Sequence, residues 1–148
     1  MKHLLFYAMS LIIGLSACSS KTDALAPLRK KAEKSICDDV RSITHSSIDA
    51  MSMGLGSMVI SSVMSESKQD SILMKPFLPM IRKDLKTLKK PELENIISSK
   101  KARYKFIGTT LLNNKEAMTS SLKKSYEFAA PLVDKAIEFV QSQAAQIQ

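Results

Sequence analysis

The sequence predicts an all-α protein, a small bundle of four to five helices. Three observations predict it. Apolar residues recur at steps of three and four along most of the 148 residues, as one face of a helix requires. No stretch alternates apolar and polar residues with the period of two that marks a half-buried strand. The helix-breaking signals are spaced at ordinary helix lengths, and no internal repeat or low-complexity tail interrupts them.

The first helical pattern runs from about Ala24 to Ser65. Leu28, Ala32, Ile36, Val40 and Ile43 form its stripe, and Met51, Leu55, Met58 and Val59 continue it. Ala50 to Ser65 carries no charge, which is too short for a membrane span and suits a helix buried on most sides. Gly54 and Gly56 weaken that part or permit a close contact. Glu66-Ser67-Lys68-Gln69-Asp70 reads as a loop. A second helical block covers Ser71 to Lys90, and Pro76 and Pro79 are expected to kink or restart it, because each lacks a backbone donor.

After these prolines, Ile81, Leu85 and Leu88 define an apolar face. Pro91 then opens a further helix, with Glu92 and Glu94 in the first turn where the dipole favours acid. Leu93, Ile96, Ile97, Tyr104 and Ile107 fit its buried side, and Gly108 is the expected stop. Asn113 and Glu116 have the spacing of a capping box. Met118, Leu122, Tyr126, Ala129, Val133, Ile137 and Val140 carry the pattern nearly to the end. Pro131, inside that run, either kinks one helix or divides it in two.

The N-terminus has a different character. Lys2 gives a positive start, Leu4 to Ile13 is uncharged, and small residues lead to Leu15-Ser16-Ala17-Cys18. The apolar run is too short for a mature span, which needs about 20 residues. The segment has the parts of a secretory signal, and Leu15-Ser16-Ala17-Cys18 resembles the lipobox of bacterial lipoproteins. The resemblance covers residues 1–18. It implies cleavage before Cys18, a diacylglycerol on the Cys18 thiol and acylation (palmitate or a similar chain) of the new amine. More than one chain gives a stable membrane hold where one does not.

Ser19 and Ser20 include no Asp of the kind that, in enteric-type bacteria, resembles an inner-membrane retention signal. The expected location is therefore the outer membrane, facing the periplasm. The expected organisation is a signal peptide at 1–17, lipidated Cys18 and a short tether at 18–23, and one helical domain at 24–148. Extended, Ser19 to Asp23 reaches roughly 17 Å, which keeps the domain close to the bilayer.

The chain carries 22 Lys+Arg against 14 Asp+Glu, a net +8. Lys2 is the one charge ahead of Cys18, so the processed chain is net +7. A basic balance suggests nucleic acid in the cytoplasm. Outside the inner membrane that partner is scarce, and anionic phospholipid or an acidic envelope protein is the accessible counter-charge. No nucleic-acid partner is expected.

Most of the excess falls in one block: Arg82, Lys83, Lys86, Lys89, Lys90, Lys100, Lys101, Arg103 and Lys105. Against Asp84, Glu92 and Glu94 it is net +6 over 24 residues. Such a block binds an anionic surface, docks an acidic partner, or serves as a solvated helix face. Met51, Met53, Met58 and Met64 either line an adaptable apolar groove or fill the core.

Signals for chemistry are weak. Cys37, Arg41, His45 and Asp49 follow at steps of four, but His45 and Asp49 are two ligands rather than a metal site. The third glycine that Gly54-Leu55-Gly56 would need for a dinucleotide loop is Val59. No Gly-x-Ser-x-Gly elbow occurs. With Cys18 acylated, Cys37 has no cysteine partner in the chain and reads as a small buried hydrophobe or, alternatively, as a free thiol or one that pairs between chains. The expectation is a non-enzymatic binding or envelope-assembly module without cofactor or metal. The alternative is a carrier or sensor of an apolar ligand, such as an acyl chain or hydrophobic peptide.

Overall fold

The computed structural model describes residues 23–52, 60 and 62–147. The signal segment with Cys18, the residues Met53 and Met58, and Gly54 and Gly56 lie outside them. The described residues are all-helical, without a strand. Helix α1 spans Ala26–Ser52, 27 residues or about 40 Å at 1.5 Å per residue. Asp23 starts it: its carbonyl accepts from the Ala26 N–H at 3.0 Å and its carboxylate from the Leu25 N–H at 3.1 Å. Ala32, Ile36, Val40, Ile43 and Ile48 form the buried stripe, as their spacing requires. Thr44 and Ser47 are buried beside them. Their hydroxyls donate back to the Val40 and Ile43 carbonyls at 2.7 and 2.6 Å, so neither is left without a partner.

The segment read as a loop is helical. Helix α2 spans Glu66–Ile72. The Ser65 carbonyl accepts from the Lys68 and Gln69 N–H groups at 2.9 and 3.0 Å. Burial of Ile72 and Leu73, and a hydrogen bond between the Asp70 carboxylate and His45 of α1, fix a stretch whose own composition is neutral about helix formation. Helix α3, Met74–Thr87, follows after Leu73, which itself keeps helical dihedrals. The interruption coincides with Pro76, which has no N–H for the Ile72 carbonyl. Pro79 lies inside α3 on its exposed side, where water can take the Lys75 carbonyl it leaves unmatched.

Helix α4, Lys90–Ser98, carries Pro91 in its first turn, where a missing donor costs nothing. The Glu92 carboxylate accepts from the Lys89 N–H at 2.7 Å. The pattern expected to continue to Gly108 is cut at Ser99. Its backbone is extended and its hydroxyl accepts from the Ala102 N–H at 3.2 Å, an N-cap that starts helix α5, Lys100–Asn113. Gly108 does not stop this helix but is buried within it. A Cβ built there would sit 3.2 Å from Val140 Cγ1. The glycine lets α5 approach the last helix closely.

Helix α6 is Lys115–Ser125. The capping-box expectation at Asn113 is replaced by Asn114, whose Nδ2 donates to the Thr110 carbonyl at 2.8 Å and so closes α5 instead. A 3₁₀ turn at Glu127–Ala129 and Pro131 then divide the final pattern, and helix α7 is Leu132–Gln146. The cuts at Leu73 and Ser99 raise the number of helical segments above the four or five expected, because local caps and a missing donor override a continuous apolar stripe.

Helix α1 packs most extensively on α7, then on α4 and α3, while α7 also packs along α5. Helices α2 and α3 run antiparallel to α1. His45 meets Asp70, Glu33 meets Arg82, and Arg29 Nε donates to the Leu85 carbonyl at 3.3 Å. Moving back along α1 from His45 through Glu33 to Arg29 therefore moves forward along the pair from Asp70 through Arg82 to Leu85. Phe77, Ile81, Leu85, Leu93, Ile107, Met118, Leu132 and Val133 are fully buried in a cluster shared with the α1 stripe. Because Phe77 is 0% exposed, Phe77→Ala is expected to lower stability by about 3–5 kcal/mol in denaturant unfolding.

Candidate functional site

The basic block divides into structural cations and surface cations. Arg103 belongs to the first kind. Its Nε donates to Asp39 Oδ2 at 2.6 Å, and its Nη1 donates to the Ile96 and Ile97 carbonyls, both at 3.1 Å. It thereby ties the base of α5 to α1 and satisfies the last carbonyls of α4, which a helix end leaves open. Both side chains are largely covered, 15% and 16% exposed.

Arg82 holds Glu33 through Nε at 3.1 Å and Nη2 at 2.8 Å, and this hydrogen bonding raises the already high guanidinium pKa. Lys90 reaches Glu94 at 3.8 Å, one turn ahead on α4. The Lys100 ammonium stands 5.4 Å from the centre of the Tyr104 ring, within cation–π range. Burial, and then the charge of Asp39, push the Tyr104 hydroxyl pKa up.

The remainder, Lys83, Lys86, Lys89, Lys101 and Lys105, are exposed. Among the described residues no ion pair holds them. Lys86 lies beside the seam of α1 and α3, in a shallow groove it shares with Arg29, Glu33, Arg82 and Leu85. Glu33 also lines the adjoining groove along the outer side of α1, with Pro27, Lys30, Lys31, Lys34 and Cys37. Lys30, Lys31 and Lys34 lie outside the basic block that the sequence marks between Arg82 and Lys105. The 49 residues between Glu33 and Arg82 hide that neighbourhood until α1 and α3 are paired.

The carboxylates of this region are already engaged. Asp23 pairs with Arg29, and Glu33 with Arg82. Asp38 pairs with Lys34 at 3.1 Å and Arg41 at 3.7 Å. Asp39 holds Arg103, Asp84 accepts from the Thr110 hydroxyl at 2.7 Å, and Glu94 faces Lys90. The positive surplus therefore stays at the surface, on Lys30, Lys31, Lys83, Lys86 and Lys89.

The methionines are not brought together into one described groove. Met64 is 4% exposed in the core, and Met51 is half-buried against it. The cavity that touches Met64 has a volume near 290 Å³ and is otherwise lined by Lys68, Ser71, Ile72, Lys75, Ser125 and Tyr126. Its wall mixes cationic, hydroxyl and apolar groups. His45 turns to Asp70, and among the described residues no cluster of three metal-ligating side chains occurs. No described helix is long and apolar enough to cross a membrane.

Cys37 is half-buried, with a free thiol, in place of the full burial its apolar neighbour Ile36 suggested. Burial first, and then the nearby Glu33 carboxylate, raise its pKa above the ordinary thiol value. The thiolate is the reactive form, so Cys37 should react with an alkylating probe more slowly than free cysteine at pH 8, and speed up as pH rises.

The division of the cations is testable by stability. Arg103→Ala leaves Asp39 covered and uncompensated and should cost on the order of 3 kcal/mol in chemical unfolding. Lys86→Glu, at the surface, should change stability by less than about 0.5 kcal/mol. No protein-family model, curated protein or solved structure matches this chain.

Proposed function

We propose that this protein is a lipid-anchored accessory of the bacterial envelope. In this reading, residues 1–17 are a cleaved lipoprotein signal, Cys18 carries the lipid, and residues 24–148 form one helical bundle. The bundle stands on the periplasmic face of the outer membrane and works by binding another envelope protein rather than by catalysis. The observation that carries the reading is the coincidence of anchor and charge. A lipobox lies five residues ahead of Asp23, and Lys30, Lys31, Lys86 and Lys89, exposed and without ion pairs among the described residues, lie near the helix end that Asp23 begins. A short tether limits the search of such a domain to the neighbourhood of the membrane, where surface charge raises the rate of encounter with an acidic partner.

Cross-linking in cells tests the binding role, and a Cys18→Ala variant tests the anchor. The wild-type protein is expected in the membrane fraction, cross-linked to a discrete envelope protein. Cys18→Ala is expected to leave that fraction. If the wild type cross-links to no protein and extracts together with bound lipid, the alternative, a carrier of an apolar ligand, takes its place. Wild-type protein recovered without lipid on Cys18 would remove the anchor from the proposal.

A further inference from the structure

We infer that Lys30, Lys31, Lys86 and Lys89 rest on the anionic phospholipid headgroups of the membrane that holds the anchor, and so fix the orientation of the domain on the bilayer. This rests on the reading of Cys18 as the lipidated residue and adds to it a surface, a ligand chemistry and a pose.

Residue 23 opens α1, and α1 meets the far end of α3 there. Arg29 donates to the Leu85 carbonyl, and Arg82 holds Glu33 at 2.8 Å. The start of the domain, the end of α3 and the beginning of α4 therefore form one end of the molecule. A tether of about 17 Å ties that end to the membrane, while α1 runs about 40 Å away from it.

Charge is the second strand. At this end the carboxylates of Asp23, Glu33, Asp38, Glu92 and Glu94 are spent on Arg29, Arg82, Lys34 and Arg41, the Lys89 N–H, and Lys90. The four lysines are exposed and without ion pairs among the described residues. They offer hydrated ammonium groups to phosphate oxygens, a contact that decays within a Debye length of about 8 Å at physiological salt.

Charge alone does not select this end. Lys68 and Lys75 line a pocket with Ser125 and Tyr126 at the opposite end of the α2–α3 pair, and Lys123 and Lys124 close α6 beside it. Lys75 and Lys86 belong to one helix and stand about 16 Å apart along it. The tether breaks the tie, because it holds one basic end at the surface and leaves the other directed away.

The test uses the full-length protein purified from bacterial membranes. It is reconstituted into phosphatidylcholine vesicles with or without phosphatidylglycerol. An amine-acylating reagent and peptide mass spectrometry then report each lysine. Phosphatidylglycerol is expected to slow acylation of Lys30, Lys31, Lys86 and Lys89 at least about threefold, with recovery in about 0.5 M salt. Lys68, Lys75, Lys123 and Lys124 should not change. Equal rates at the two ends, or slowing at the far end as well, would overturn the orientation. Protection that occurs in cells but not in anionic vesicles would assign the surface to an acidic protein and overturn it too. The mass of the N-terminal peptide separates the two readings. Unmodified Cys18 removes the anchor and the orientation together, whereas lipidated Cys18 with uniform lysine rates removes the orientation alone.

Discussion

The apolar stripe of α1 is the constraint on which the described structure depends. Ala32, Ile36, Val40 and Ile43 are covered by elements drawn from well-separated parts of the chain. Isolated helices as short as α3, α4 and α7 are marginal in water and take their stability from packing. Removal of the stripe would leave α3, α4 and α7 without a common wall. Thr44 and Ser47 sit in the same face because each returns its hydroxyl to a carbonyl one turn back, so polar side chains enter the core without an unmatched donor.

Ionic contacts then set the angles that apolar burial leaves loose. Arg103 joins three elements through one guanidinium, with the planar, multi-donor geometry that lysine lacks. His45–Asp70 and Arg82–Glu33 mark two points of the antiparallel seam. Exposed pairs of this kind contribute little energy each. Their arrangement matters in another way: it consumes the acidic groups of one region, and the charge of the remaining lysines is uncompensated there.

Helix class and most of the buried face were legible in the sequence, because a stripe such as Leu93, Ile96, Tyr104 and Ile107 is a direct record of what a helix buries. Boundaries were less legible. Ser99 carries no signal that separates an N-cap from any other serine, and Glu66 to Asp70 is helical only because Ile72, Asp70 and His45 find their partners in space. Gly108 shows the same ambiguity, since a glycine suits a helix end and a close helix contact equally well. The candidate site was half legible. The density of lysine between Arg82 and Lys105 was plain, but local composition could not show that Arg82 and Arg103 serve the fold or that Lys30 and Lys31 adjoin the block.

Cys37 has a consequence for biogenesis. Its thiol is half-covered, held in the protonated form by burial and by Glu33, and a thiol of that kind exchanges slowly with disulfides. On the proposed reading of Cys18 as acylated and of the domain as periplasmic, the chain has no second thiol with which to pair Cys37. The fold would then mature without a disulfide catalyst, and Cys37 would be a poor target for mixed disulfides while the helices assemble around α1.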